Sequence, residues 1–352
     1  MTSDLKTPNI TIVLPVYNVE PYLRQCLNSV VNQTMREIQI ICVNDGSTDG
    51  SQAILEEYAA RDSRFRIIVQ ENGGSSLARN AAFPHIQGKY LLFLDSDDWI
   101  DLTLCEKTYT AAEKDNADMT YFFMDIGGRR NKRPAFETLL ENRDIKEIAT
   151  GILVRSTGLR KLWKSEFILS NNITFPVGLV SQDTFFNWSV LTLSPKLAVV
   201  KECLYYYRDN PHSITSKTTI RIARYAPIFD LIEKVLHERN LFEEYSEVFY
   251  REKLIYYCHL YSKNWEPKEE KQRARKMLRD MLKQSACDFS RYDFTPLGFS
   301  RGYNFALHCF CRWIRGSRFY GMIYHSMTAA YRAKRLIQKA MASFATSRKG
   351  TT

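Results

Sequence analysis

Residues 90–99 read YLLFLDSDDW: an apolar run from Tyr90 to Leu94 that stops abruptly at Asp95-Ser96-Asp97-Asp98. A short continuous apolar run closed by polar turn residues is the pattern of a strand buried on both faces. The same figure occurs twice upstream. Asn9–Leu14 (NITIVL) ends at Pro15-Val16-Tyr17-Asn18, and Ile38–Val43 (IQIICV) ends at Asn44-Asp45-Gly46-Ser47. Between these two runs, Leu23, Cys26, Leu27, Val30 and Val31 keep the spacing of a helix packed on a sheet, with Pro21 in its first turn. Ile54, Leu55 and Tyr58 mark a second helix, and Phe65–Val69 and Met119–Met124 add strands. Buried strands alternating with helices predict an α/β fold with a Rossmann-like, mostly parallel central sheet flanked by helices.

In an open parallel sheet, ligands sit beyond the carboxyl ends of the strands, which is where all three polar clusters fall. Asp, Asn, Ser and Gly also dominate ordinary strand-to-helix loops, and for Asn44–Ser47 alone that explanation suffices. The third cluster asks for more. Asp95, Asp97 and Asp98 would repel one another and raise each other's pKa unless a cation or hydrogen-bond donors compensated them. Such an oxygen-rich group suits Mg²⁺ or Mn²⁺ held by one or two carboxylates plus substrate phosphates.

PVYN (15–18), VNDGSTDGS (43–51), NGGSSLARN (72–80) and LDSDDW (94–99), in this order and spacing, closely resemble the family 2 glycosyltransferases of the GT-A fold. The match covers residues 9–101 and extends, more loosely, over 160–215. The resemblance implies an inverting, metal-dependent hexosyltransferase of bacterial cell-surface polysaccharide synthesis. It would move a sugar from a nucleotide-sugar donor, a UDP-sugar by family likeness, to a saccharide acceptor, lipid-linked by expectation.

Carried over by position, Pro15, Val16, Tyr17 and Asn18 border the donor's base and Asp45 accepts a hydrogen bond from uracil. Arg79 lies near the base or diphosphate, the alternative being an arginine on the helix surface. Asp95 and Ser96 meet the ribose or donor sugar, and Asp97 is the principal metal ligand. Asp98 is a second ligand or orients the first. TFPVGLVSQDTFF (174–186) is similar to the segment that carries the family's catalytic base, which places that role on Asp183. Gln182 stands where the family has Glu. Asp183 also suits the N-cap of a helix starting at Thr184, and both roles are compatible. In YYYRDNPHSIT (205–215), Arg208 suits a phosphate or acceptor contact, and His212 is either a further metal ligand or a plain loop histidine.

These positions divide the chain into a donor half (1–125), an acceptor and catalytic-base half (126–216) and a helical region (217–352). Of 49 Lys and Arg, ten lie between Arg301 and Thr352, where no Asp or Glu occurs, so residues 1–300 carry 39 basic against 39 acidic groups. The whole excess charge sits in this basic, aromatic-rich tail (301–352), a property that concerns a partner surface rather than the fold. In Tyr331–Phe344 a helix would gather Leu336, Ile337, Ala340, Met341 and Phe344 opposite Arg332, Arg335 and Lys339. Such a face docks on an anionic membrane surface or on the protein's own body. No run reaches the roughly 18–20 apolar residues of a spanning helix. The absence of a signal peptide and of paired cysteines predicts a cytoplasmic protein attached peripherally to the inner face of the membrane.

Rival classes fit less well. A nicotinamide enzyme would show GxGxxG after the first strand, and a sugar-nucleotide pyrophosphorylase a Gly-rich basic signature where PVYN stands. A nucleic-acid binder would use the basic tail, but there the basic residues alternate with bulky aliphatics, which argues for no nucleic acid.

Overall fold

The computed structural model describes residues 7–126, 129–130, 160–193, 195–208 and 222–262, together with 272, 276, 279 and 280. Its centre is built from the strands whose sequences are most uniformly apolar. β1 (Ile10–Val16) and β2 (Ile38–Asp45) pair in parallel, and β3 (Phe65–Gln70) extends the sheet beyond β2. β4 (Tyr90–Phe93) pairs in parallel with the other side of β1. Ile10, Ile12, Val13 and Leu14 are 0% exposed, because helices cover both faces of the sheet.

The crossover helices are α1 (Glu20–Val31), α2 (Ser51–Ala59) and α3 (Ser75–Ala82). On α1, Leu23, Cys26, Leu27 and Val30 face the core and Pro21 occupies the first turn, where its missing N–H costs nothing. Gly88 lets the chain into β4 pass directly over β1: a Cβ there would meet Thr11 N at 2.3 Å.

Beyond β4 the sheet becomes mixed. It takes in β5 (Trp99–Ile100), β6 (Met119–Ile126), β7 (Arg129–Arg130), β8 (Lys161–Lys164) and β9 (Leu197–Tyr207). Among the described residues the order is β3-β2-β1-β4-β8-β6-β9-β5, with β7 paired to β6. β8 runs antiparallel to both β4 and β6, while β6 and β9 are parallel with a register shift around Phe123. β5 returns to pair antiparallel with β9. The sequence pattern shows the parallel half plainly but not the insertion of β8.

The helices that accompany these later strands are α4 (Leu104–Asp115), α5 (Ser165–Ser170) and α6 (Gln182–Leu191). The chain divides into two compact units, Met1–Lys217 with Arg224–Leu241, and Thr218–Ala223 with Phe242–Thr352. In α7 (Ile222–Glu238), Ile228, Phe229, Ile232 and Leu236 are buried at helical spacing, and Arg239 just beyond it donates to Ser189 O at 3.0 Å. In the second unit, α8 (Phe242–Ser262) gathers Phe242, Phe249 and Tyr250 into one aromatic cluster. Among the described residues no helix is long and apolar enough to cross a membrane. The tail at 301–352 lies outside the described residues.

Candidate active site

The strand order reverses at β1: β2 and β3 lie on one side, and the chain then returns to β4 on the other. The carboxyl ends of β1 and β4 therefore flank the crevice where such sheets bind ligands. Side chains from the ends of β1 and β2 knit the adjoining loops together. Asn18, at φ 50, accepts from Thr48 N at 2.8 Å, and its own N–H donates to Ser47 Oγ at 3.1 Å. Glu20 N–H donates to Asp49 and Gly50 N–H to Glu20, so the starts of α1 and α2 brace each other. Tyr17 stands at the rim, 49% exposed.

Asp45 is 3% exposed, and its two oxygens accept from Gln70 Nε2, Gly73 N and Gly74 N at 2.7, 2.9 and 2.8 Å. It shapes the glycine turn that opens α3. Gly46 takes φ +72 directly after it, where a side chain would be strained and would press on Asn72 N. Val16 is fully buried, and Ser96 is nearly so and donates its hydroxyl to Pro15 O at 2.7 Å. These two residues shape the rim from beneath.

The acidic cluster after β4 splits into three environments. Asp95 forms an ion pair with Arg79 Nη2 at 2.6 Å. Asp97 is half-buried at the edge. Asp98 is 1% exposed and accepts from Tyr205 Oη at 2.6 Å and from the Arg208 backbone N–H at 2.8 Å. Burial pushes the Asp98 carboxyl up to about 8, and the negative charge of Asp95 acts in the same direction. Asp98 thereby fastens the end of β9 to the loop that carries Asp97.

Arg208 works from the same side. Its guanidinium lies between the rings of Tyr22 and Trp99, 4.9 and 4.8 Å from their centroids, and its Nε donates to Asp97 O at 2.7 Å. The planar cation stacks and hydrogen-bonds at once, which a lysine cannot do. It brackets the Asp97 loop. His212 lies outside the described residues. Among the described residues no three His, Cys, Asp or Glu side chains group into a complete metal cage.

Arg79 is not a surface residue. It is 7% exposed, paired with Asp95 and seated over the Phe175 ring at 5.3 Å. Phe175 in turn stacks on Phe186 of α6, with centroids 4.3 Å apart. Asn80 locks this arrangement: its Nδ2 donates to Phe175 O at 2.7 Å and its Oδ1 accepts from Phe175 N at 2.9 Å. Gln182 Nε2 donates to Ser75 Oγ at 2.7 Å, tying the starts of α3 and α6 together. Asp183 lies in the first turn of α6, whose N-cap is Ser181 in the left-handed region; the capping role for Asp183 is therefore corrected. Burial raises the Asp183 carboxyl, while the positive charges of Arg79 and Lys161 oppose that rise. Sequence reasoning missed Asn80, Tyr205 and Lys161, whose partners all lie far along the chain.

Arg79 pairs with Asp95 and acts electrostatically on the half-buried Asp183, so this buried arginine links the acidic strand end to the start of α6. Residues 11–160 match the family model described as glycosyl transferase family 2. The glycosyltransferase GlyA of Streptococcus pneumoniae serotype 4 is 35% identical over 224 residues, 58% of this chain but 31% of its own. The chain thus spans about a third of that relative's length. EpsH of Bacillus subtilis (strain 168) is 34% identical over 253 residues, covering 69% of this chain and 73% of its own. Among solved structures, TarS 1–349 of S. aureus in complex with UDP-GlcNAc superposes with a TM-score of 0.66 at 19% identity, over 93% of this chain and 92% of its own. That likeness is one of fold, and it matches the mixed, mostly parallel sheet and the helical C-terminal region.

Proposed function

This chain belongs to glycosyl transferase family 2, and from that premise we propose that it transfers a sugar, with inversion, from a UDP-sugar to a saccharide hydroxyl in cell-surface polysaccharide synthesis. The observation that carries the reading is Arg79: it pairs with Asp95 on the donor rim and acts electrostatically on Asp183. One residue thus couples the strand end suited to a diphosphate with the carboxylate suited to a base. On this reading residues 1–125 supply the donor half, with Pro15, Tyr17, Asn18 and Asp45 around the base. Residues 126–216 supply the acceptor half.

The half-buried Asp97 at this edge, on a loop held by Asp98 and Arg208, fits a hard divalent cation, Mg²⁺ or Mn²⁺, which takes one or two carboxylates together with substrate phosphates. Asp97, with His212 as a further ligand, would hold it, and it would supply neutralisation of the charge on the leaving nucleoside diphosphate. The protein's own part is positional. Asp98 and Arg208 fix the Asp97 loop from below, and Arg79 holds Asp95. Asp183 takes the proton from the acceptor hydroxyl as its oxygen bonds to the anomeric carbon and the bond to the diphosphate breaks.

The reading places the acceptor, a lipid-linked saccharide, at an anionic membrane surface to which the basic tail (301–352) attaches. Flotation with anionic liposomes tests that part. The full chain floats at low salt and is released by high salt, since each basic residue near the leaflet contributes up to about 1 kcal/mol that salt screens. Failure to float at low salt refutes it. For the reaction itself, nucleotide sugars are screened by thermal stabilisation with Mn²⁺ and with EDTA, UDP-GlcNAc first because the TarS complex holds it. A Mn²⁺-dependent rise in Tm with a UDP-sugar is expected. Stabilisation by nucleoside triphosphates alone, or by no nucleotide sugar, overturns the assignment.

A further inference from the structure

Two contacts hold the start of α6 against α3. In one, Asn80 clamps both backbone groups of Phe175, and the Phe175 ring stacks on Phe186 with centroids 4.3 Å apart. In the other, Gln182 Nε2 donates to Ser75 Oγ at 2.7 Å. Gln182 and Phe186 stand four apart on α6 and so share a face, and Asp183 lies in the turn between them. Just before this turn Ser181 sits at φ 57, a conformation that a residue with a side chain keeps only where its surroundings hold it. Ser75 is itself placed from the donor side. It is the first residue of α3, directly after Gly73 and Gly74, whose N–H groups donate to the two oxygens of Asp45 at 2.9 and 2.8 Å. Short bonds thus run from the Asp45 carboxylate through the glycine turn and Ser75 to Gln182, the chain neighbour of Asp183. Nothing in the transfer reaction described above uses Gln182.

We propose that Gln182 is a positioning residue for Asp183: through Ser75 it fixes the first turn of α6 to the turn that Asp45 shapes, so that a nucleobase seated at Asp45 steadies the carboxylate on α6. The inference rests on the donor and base roles given above to Asp45 and Asp183. A side-chain amide suits the task. It reaches from one helix to the next, donates in a fixed direction, and sets no second negative charge beside Asp183. The stack of Phe175 on Phe186 lies one turn further into α6. Two flat rings resist separation but slide past each other readily, so the stack keeps α6 docked without fixing its first turn. The bond to Ser75 supplies that last constraint. Its value is out of proportion to its strength, because a shift of about 1 Å in the reacting geometry is enough to cost about 100-fold in rate. On this account the sugar donor prepares the acceptor side of the site for itself: seating the base restrains the glycine turn, and the restraint passes along the path to Asp183.

Backbone hydrogen exchange in the first turn of α6, measured with and without UDP, tests the coupling. In wild type, saturating UDP should slow exchange at residues 182–186 by about three- to tenfold, the worth of one hydrogen bond expressed as local opening. Gln182→Met keeps the length of the side chain and removes the bond. It should bind UDP with the wild-type affinity and lose the UDP-induced protection of that turn. Ser75→Ala cuts the same bond from the other end, should lose the protection too, and serves if Gln182→Met does not fold. Gln182→Glu, whose carboxylate accepts from the Ser75 hydroxyl, should restore it, which a loss caused by general loosening of the helix would not allow. Absence of the protection in UDP-bound wild type, its persistence in Gln182→Met, or its failure to return in Gln182→Glu overturns the inference while leaving the donor and base assignments intact. A wild type that does not bind UDP would instead sink the donor reading, and retention of full transfer by Asp183→Asn the base assignment.

Discussion

Asn80 is the side chain for which the structure sets the consequence of removal most clearly. It joins α3, on the donor side, to Phe175, which leads into α6 and Asp183, through two hydrogen bonds to one backbone unit. Phe175 is 2% exposed, so in Asn80→Ala its N–H and C=O lose their partners with little access to water. Each buried orphan costs about 1–3 kcal/mol, so the variant should lose about 2–6 kcal/mol of stability. Asn80→Asp separates geometry from charge. Ionised, the new carboxyl still accepts from Phe175 N but sets a negative oxygen against Phe175 O; protonated, its O–H restores the second bond. The folded state therefore raises the pKa of the introduced carboxyl. Its contribution to stability is full below the unfolded value of about 3.9 and is lost, at about 1.4 kcal/mol per pH unit, as pH rises toward the folded pKa. Urea unfolding of wild type, Asn80→Ala and Asn80→Asp between pH 4 and pH 8 measures this. A constant difference between Asn80→Asp and wild type across that range, or a cost below about 0.5 kcal/mol for Asn80→Ala, would refute the reasoning.

Asp183→Asn should lower turnover by about 10²- to 10⁴-fold, the range of a lost general base, with donor affinity by calorimetry unchanged. Collapse of donor binding would make Asp183 a donor contact instead. The pH profile follows from the raised Asp183 carboxyl: the base is active only when ionised, so kcat/KM should fall on the acid side at a pH above that of an ordinary exposed aspartate. The same shift has the opposite sign for stability. The folded state binds this proton more tightly than the unfolded chain, so ionisation costs stability as pH rises, and Asp183→Asn should have the higher Tm at neutral pH. A lower Tm for that variant counts against a raised Asp183 carboxyl.

The parallel half of the sheet was legible because its strands are buried on both faces, and burial writes itself into sequence as unbroken apolar runs. Where those runs stop, the polar clusters could be placed on one edge without further information. β8 was not legible, since KLWK is short and begins and ends with lysine. No apolar pattern announces a strand whose first residue is a buried cation. Arg79 and Asn80 were visible as part of a motif, but their work depends on Asp95 and Phe175, and Asn80 lies 95 positions from its partner. Asp98 shows the limit from the other side. The sequence shows three carboxylates; only the fold reveals that Tyr205 and Arg208 engage one of them inside.

The central claim is that the crevice between the ends of β1 and β4 binds a nucleotide diphosphate with a cation held on Asp97. Calorimetric titration of UDP into wild type and Asp97→Asn, each with Mn²⁺ and with EDTA, tests it most directly. Wild type should bind UDP more tightly with Mn²⁺ than with EDTA. Asp97→Asn should lose that enhancement while keeping the wild-type Tm in the absence of nucleotide, because the change removes charge but hardly alters volume. Mn²⁺-dependent binding of UDP that survives intact in Asp97→Asn would contradict the account.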